Sequence, residues 1–176
     1  MRKIIVVTGG QRSGKSGYAQ RKAKELSPNP VYAATSRIWD EEHRRRIERH
    51  QRDRGEEWET VEEEKYLHRH DFSGRVVVVD CVTLWCTNFF FDSDGLVEES
   101  LDEFKKTFDE LVRQDAVFIF VTNEIGCGGM PENPVQRKFT DLQGWVNQYI
   151  ASKADEVVWM VSGIPVTIKK REDEMF

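Results

Sequence analysis

Residues 3–16 of the chain read KIIVVTGGQRSGKS. An apolar, mostly β-branched run ends in two glycines, and the last eight residues match the pattern GxxxxGK[ST]. A buried strand, a glycine-rich loop and the start of a helix form the context in which this pattern holds phosphate groups at a helix N-terminus. The stretch therefore predicts an α/β sheet whose first loop binds a nucleotide, and the alternative is an accidental glycine-rich turn.

The residues of this loop have separate expected roles. Glycines allow a tight turn whose backbone N–H groups converge on phosphate oxygens. We expect Lys15 to bridge the β- and γ-phosphates and Ser16 to offer its hydroxyl to Mg²⁺. Asp80 ends the apolar run 76–80 and would place a carboxylate at the same Mg²⁺, although a cap or turn residue is the alternative. The predicted phosphate loop consists of Gly9, Gly10, Gln11, Arg12, Ser13, Gly14, Lys15 and Ser16.

The remaining apolar runs are short and mostly unalternated, which is typical of strands buried on both faces of a parallel sheet. Amphipathic segments between them predict helices, and Ser162-Gly163 predicts a closing antiparallel hairpin. With 176 residues, the chain is expected to form one domain, residues 1–176, with a doubly wound α/β fold. The predicted strands cover residues 3–8, 31–35, 76–80, 117–122, 157–161 and 164–168, and the predicted helices cover residues 16–26, 96–113 and 135–152.

Composition excludes several classes of protein. The net charge of -5 argues against a nucleic-acid-binding domain, since such domains usually carry a basic surface. No apolar run is long enough to span a membrane, and the N-terminus lacks a cleavable signal, so we expect a cytoplasmic protein. The chain has three cysteines, and they lack paired spacing. This pattern argues against a disulfide scaffold and against a structural zinc site.

An arginine-rich stretch at residues 40–54 reads DEEHRRRIERHQRDR and contains a single aliphatic residue. A helix here would be solvated or would face a polar ligand. Arg46, His50 and Arg54 are spaced four apart and would share one helix face. Two guanidinium groups could hold phosphate oxygens and would disfavour protonation of the imidazole between them. The spacing alone leaves three roles open for His50, which are covalent catalysis, phosphate binding and simple solvation.

Seven segments in their order along the chain extend the signal beyond the loop. They are TGGQRSGKS, YAATSRIWDEE, RIERHQRDRGEEWETVE, VVVDCVTLWCTN, VTNEIG, NPVQRKFTDLQGWVNQ and ADEVVWMVSGIPVTIK. Together they closely resemble the adenosylcobinamide kinase / adenosylcobinamide-phosphate guanylyltransferase family of cobalamin biosynthesis. The loop alone matches many kinases, whereas the joint pattern is specific and spans nearly the whole chain.

The resemblance implies a RecA-like P-loop domain with a mostly parallel central sheet, commonly assembled as a homotrimer. It implies a bifunctional enzyme that phosphorylates adenosylcobinamide with ATP or GTP. The same enzyme would transfer GMP from GTP to adenosylcobinamide phosphate, giving adenosylcobinamide-GDP and pyrophosphate. The family's guanylylated histidine falls on His50.

Further nucleotide contacts are implied by the same resemblance. Some relatives carry a second histidine beside the first, where this chain has Arg49. Glu124 follows the fourth predicted strand and would orient a water or the acceptor hydroxyl, or else cap the next turn. Besides the phosphate loop, the implied nucleotide contacts are Ala34, Thr35, Ser36, Gln51, Arg52, Asp53, Arg54, Glu62 and Leu84.

Two competing interpretations remain at this stage. One is a P-loop kinase or NTPase that uses Lys15 and Asp80 but never modifies His50. The other is a nucleotide-regulated binding module whose arginine-rich stretch docks RNA or an acidic partner, which the acidic net charge disfavours.

Overall fold

The computed structural model describes residues 1–38, 41, 44, 45, 48 and 54–171. Seven strands form one sheet: β1 (Lys3–Gly9), β2 (Val31–Ala34), β3 (Glu59–Glu62), β4 (Val76–Asp80), β5 (Val117–Asn123), β6 (Glu156–Val161) and β7 (Ile164–Lys170). Their order across the sheet is β3-β2-β4-β5-β1-β6-β7. All neighbouring strands pair in parallel except β6 and β7, which form an antiparallel hairpin at one edge.

Helices cover both faces of the sheet. They are α1 (Lys15–Leu26), α2 (Val82–Asp92), α3 (Val97–Leu111) and α4 (Pro134–Lys153). Helix α1 packs on one face against β1, β4 and β5. Helices α2, α3 and α4 pack against one another on the opposite face. No helix in the described part of the chain is long and apolar enough to cross a membrane.

Alternating side chains of the strands supply two separate cores. In β1, Ile5 and Val7 belong to the core under α1, whereas Ile4 and Val6 belong to the core under α2, α3 and α4. Both sets are buried because parallel strands are covered on each side. The second core is dominated by the aromatic side chains of Trp85, Phe89, Phe104, Phe108, Phe118 and Phe120.

The predicted strands and the three predicted amphipathic helices are confirmed, with ends within two residues of those expected. The expected closing hairpin is also present. Two elements, β3 and α2, were not predicted. The arginine-rich stretch 40–54 lies mostly outside the described residues; within it Glu41, Arg44, Arg45 and Glu48 are helical, and Arg54 lies in a bend and packs against Tyr32.

The topology brings the carboxyl ends of three strands together. Strand β5 lies between β1, which carries the glycine-rich loop, and β4, which ends in Asp80. In open α/β sheets, ligands bind outside the carboxyl ends of the strands. The loops that leave β1, β4 and β5 therefore mark the candidate site.

Candidate functional site

The loop between β1 and α1 depends on glycine at two positions. Gly9 and Gly14 have φ angles of 154° and 93°, conformations that residues with a side chain rarely adopt. A Cβ on Gly9 would also lie 2.7 Å from the carbonyl oxygen of Met160 in β6. The turn of the β6–β7 hairpin supports the loop, since the Gly163 N–H donates to the Ser13 carbonyl oxygen at 3.0 Å. The terminal hairpin thus buttresses the predicted phosphate loop.

Lys15 is folded back onto this loop. Its Nζ donates to the Gly10 carbonyl oxygen at 2.5 Å and to the Ser13 hydroxyl at 3.4 Å. Burial lowers the pKa of the Lys15 ammonium group, and the nearby Asp80 carboxylate opposes that shift. The loop therefore holds a buried cation that a phosphate group would neutralise.

Asp80 is held by a side chain of the neighbouring strand. The Tyr32 hydroxyl donates to Oδ2 of Asp80 at 3.0 Å. Burial, followed by the proximity of Asp80, raises the pKa of Tyr32 well above its ordinary value, so this phenol stays protonated. The hydrogen bond fixes one carboxylate oxygen and leaves the other without a hydrogen bond from Tyr32.

Arg54 extends the chain of contacts that links Asp80 to Tyr32. The centre of its guanidinium group lies 3.6 Å from the centroid of the Tyr32 ring, within the range of a cation–π contact. Arg54 is only 9% exposed, and its Nε has no hydrogen-bond partner among the described residues. The ring of Trp58 packs edge-on against the Tyr32 ring, with 6.2 Å between the ring centroids. A carboxylate, a phenol and a guanidinium group are therefore linked by direct contacts, and the carboxylate lies close enough to Lys15 in the phosphate loop to oppose the lowering of the lysine pKa by burial.

The segment after β2 is fixed by buried hydrogen bonds. Thr35 donates through Oγ1 to the Cys81 carbonyl oxygen at 2.7 Å. The buried amide of Asn88 donates to the carbonyl oxygens of Thr35 at 2.7 Å and Glu64 at 2.9 Å. Arg37 forms hydrogen bonds to Glu64 and Asp92. The ends of β2 and β3 are thereby tied to α2.

At the end of β5, Glu124 sits directly against the phosphate loop. Its N–H donates to the Gly9 carbonyl oxygen at 2.9 Å, and its Oε1 accepts a hydrogen bond from the Gly126 N–H at 2.7 Å. This second contact supports the turn-capping interpretation of Glu124. The Thr83 hydroxyl accepts hydrogen bonds from the backbone and side-chain N–H groups of Asn123, each at 3.1 Å. These contacts join α2 to β5.

Ser16 and Asp80 are the residues that would hold Mg²⁺. Among the described residues, no group of three or more His, Cys, Asp or Glu side chains is arranged to hold a metal ion. A site made mainly from phosphate oxygens and water suits Mg²⁺, which keeps several waters and takes one or two protein ligands. The donor set of one hydroxyl and one oriented carboxylate fits that chemistry.

The predicted nucleotide contacts separate into three groups. The loop residues surround Lys15, whereas Ala34 ends β2 and Thr35 and Ser36 follow it on the same edge of the sheet. Glu62 ends β3, and Leu84 lies in the first turn of α2, where its N–H contacts the Cys81 sulfur. The predicted residues that lie outside the described part of the chain are Arg46, His50, Gln51, Arg52 and Asp53.

Comparison with known proteins extends this picture. A protein-family model described as cobinamide kinase / cobinamide phosphate guanyltransferase matches residues 5–168. The bifunctional adenosylcobalamin biosynthesis protein CobU of Escherichia coli (strain K12) is 39% identical over 181 residues, which cover 94% of this chain and 99% of that protein. The corresponding protein CobP of Pseudomonas aeruginosa is 36% identical over 174 residues, covering 96% of this chain and 98% of its own length.

Among solved structures, an ATPase domain matches this chain with a TM-score of 0.50 at 13% sequence identity. The match covers 97% of this chain and 78% of that one. At this identity the likeness concerns the fold alone. The expected RecA-like P-loop fold, with its mostly parallel sheet and C-terminal antiparallel strand pair, is confirmed.

Proposed function

This chain belongs to the cobinamide kinase / cobinamide phosphate guanyltransferase family, and on that premise we propose that it performs both reactions on one nucleotide site. It phosphorylates adenosylcobinamide with ATP or GTP. It then transfers GMP from GTP to adenosylcobinamide phosphate through a guanylylated His50, giving adenosylcobinamide-GDP.

The observation that carries the proposal is the chain of contacts from Asp80 through Tyr32 to Arg54, at the edge of the sheet that carries the phosphate loop. Arg54 follows His50 by four residues, and a chain of four residues spans at most about 14 Å. Arg54 is itself fixed against Tyr32, whose hydroxyl contacts the predicted Mg²⁺ carboxylate. The contacts therefore support a histidine-bearing segment anchored next to the bound triphosphate.

Guanylyl transfer proceeds as two displacements at the α-phosphorus of GTP. The neutral imidazole of His50 attacks, an N–P bond forms, and the bond to the β-phosphate oxygen breaks to release pyrophosphate. A phosphate oxygen of adenosylcobinamide phosphate then attacks the same phosphorus, the N–P bond breaks, and His50 is regenerated. The loop N–H groups and Lys15 stabilise the charge that grows on the pyrophosphate.

In the kinase reaction the aminopropanol hydroxyl attacks the γ-phosphorus instead. Its proton leaves to solvent, and the bond between the γ-phosphorus and the β,γ-bridging oxygen breaks. Bound Mg²⁺ supplies charge neutralisation to the phosphate oxygens, and Ser16 and Asp80 are the residues that would hold it. Tyr32 orients the Asp80 carboxylate through its hydrogen bond. The same loop thus serves both reactions, and the acceptor decides which phosphorus reacts.

We extend the proposal to the homotrimer that the family resemblance implies, and the apolar side chains exposed by the β6–β7 hairpin at the edge of the sheet support a subunit contact there. Exposed edge strands and large apolar patches are typical sites of subunit contact. Sedimentation velocity should give about three times the chain mass for the native protein and a smaller species for Ile168→Glu. The exposed apolar residues of the hairpin are Trp159, Val161, Ile164, Val166 and Ile168.

The test of the covalent step uses GTP labelled at the α-phosphate. With Mg²⁺, the wild-type protein should acquire label in a bond that acid cleaves and alkali leaves intact, as expected of a phosphoramidate. His50→Ala should remove the label, whereas the control His70→Ala should retain it. Label surviving in His50→Ala would contradict the covalent role. Kinase activity with no label in the wild type would identify a P-loop kinase without a histidine intermediate.

A further inference from the structure

A mostly apolar pocket of about 400 Å³ opens between α2, α4 and the loop that follows β5. It contains no charged side chain among its lining residues, which makes it unsuited to a triphosphate. Phe90 and Phe139 form its floor, with their rings edge-to-face at 5.6 Å. The lining residues are Thr87, Phe90, Phe91, Ile125, Pro131, Val135, Gln136, Phe139 and Thr140.

The pocket lies near the phosphate loop, because one residue of its wall directly follows a residue that contacts the loop. Ile125 in its wall follows Glu124, whose N–H donates to the Gly9 carbonyl oxygen. Thr87, on the opposite wall, lies one helical turn beyond Thr83, which accepts hydrogen bonds from Asn123 at the end of β5. These contacts place the pocket at the edge of the sheet that carries the phosphate loop, so a ligand seated here would extend toward the loop.

The exposure of the pocket wall also indicates a ligand. Phe91, Ile125 and Val135 are 54%, 37% and 52% exposed, although they surround a common cavity. Scattered exposed apolar residues need no explanation, but convergent ones around a cavity mark binding sites. The rim is polar, since Thr140 and Gln136 present a hydroxyl and an amide.

We propose that this pocket is the acceptor subsite, and that it binds one apolar edge of the corrin ring while the aminopropanol arm reaches the phosphate loop. The inference rests on the proposed function, because it assigns the position of that function's second substrate. A corrinoid combines a large apolar ring with a periphery of amides, which matches an apolar cavity with a hydroxyl and an amide at its rim. The volume accommodates an edge of the ring, and the rest of the ring extends into solvent.

The proposal predicts effects on the acceptor alone. Ile125→Ser and Val135→Ser each remove apolar contact, so the KM for adenosylcobinamide in the kinase reaction should rise roughly tenfold, within the range for one lost apolar contact. The KM for ATP should stay within about twofold of wild type. Leu26→Ser, an equally exposed apolar residue at the far end of α1, is the matched control and should change neither constant.

Labelling by α-labelled GTP needs no corrinoid, so it should be unchanged in both pocket variants, and this also shows that they fold. Unchanged KM values for adenosylcobinamide in both variants would overturn the acceptor subsite. A loss of oligomer mass with an unchanged KM would do the same and would assign the pocket to subunit contact. Failure of the proposed function is separate, because the wild type itself would then not phosphorylate adenosylcobinamide or acquire label.

Discussion

On the face of the sheet that packs against α2, α3 and α4, the largest buried side chains are aromatic and apolar. On the face under α1, the core includes small and β-branched residues together with the buried charges of Lys15, Arg54 and Glu156. Among the described residues these are the only charged side chains that are buried. Glu156 is paired with Lys22 at 2.5 Å, whereas Lys15 donates hydrogen bonds to loop oxygens.

The two faces of the sheet therefore have different roles: one stabilises the fold, and the other carries the charges of the candidate site. Aromatic burial supplies free energy of folding without directional requirements. Buried charges destabilise a fold unless they are compensated, so cations held beside a loop that fits phosphate indicate a site prepared for an anion. Substitutions on the two faces should therefore have different consequences.

The largest expected effect on stability comes from Phe108→Ala on the aromatic face. The Phe108 ring is fully buried and lies 5.1 Å from the ring of Phe120 and 6.0 Å from that of Tyr149. Truncation should lower the free energy of unfolding by about 3–5 kcal/mol, measured by urea denaturation. Kinetic constants per folded molecule should be unchanged. A loss below about 1 kcal/mol would mean that this face is not the stabilising one.

Lys15→Ala should have the opposite profile. Loss of the cation that meets the developing phosphate charge should reduce kcat in both reactions by roughly 10²–10³-fold. Burial lowers the pKa of Lys15, so at pH 7 the charged ammonium group makes the folded wild-type protein less stable. Removing this charge should therefore leave the free energy of unfolding of the variant equal to that of the wild type or raise it. The control is Lys24→Ala on the same helix. A large loss of stability in Lys15→Ala would contradict the assignment of different roles to the two faces.

Tyr32→Phe sharpens the comparison, because the other face offers a matched pair. Tyr32 donates to Asp80 at 3.0 Å, and Tyr149 donates to Asp109 at 2.7 Å. Either variant loses one hydrogen bond, worth about 1 kcal/mol of stability. Only Tyr32→Phe should raise the Mg²⁺ concentration needed for half-maximal activity, by about tenfold, since partners that orient metal ligands have effects of that size. Equal Mg²⁺ dependence in Tyr32→Phe and Tyr149→Phe would refute the role of Tyr32.

Most strands are predictable from the sequence because buried parallel strands are continuous apolar runs. Strand β3 is not predictable in this way, because its residues Glu59–Glu62 read ETVE and are mostly exposed at an edge of the sheet. Helix α2 reads VTLWCTNFFFD and is buried around most of its circumference, so it has no helical periodicity that would predict it.

The phosphate loop and Asp80 were predictable because their chemistry is carried by a local pattern. Tyr32 was not, since a tyrosine within the run VYAA looks like an ordinary core residue. Its role depends on the parallel register that pairs Tyr32 with Val78 and Ala34 with Asp80. The role of Asn88 is likewise not predictable, because its hydrogen-bond partners Thr35 and Glu64 are distant in sequence.

The smallest expected effect concerns the reactivity of the cysteine thiols, which shows whether solvent reaches the core on either face of the sheet. Burial, and then the proximity of Asp80, raises the pKa of Cys81 to about 12, and burial raises the pKa of Cys86 on the aromatic face. Both remain protonated thiols at pH 8, and only the exposed Cys127 should react with an aromatic disulfide reagent.

Titration of the native protein should therefore give one reactive thiol per chain, and titration in denaturant should give three. Cys127→Ser should remove the native reaction and leave enzyme activity unchanged. A second reactive thiol in native Cys127→Ser would show that one core opens to solvent. If nucleotide then protected that thiol, the open core would be the one under α1, because Cys81 directly follows the carboxylate that is predicted to hold Mg²⁺.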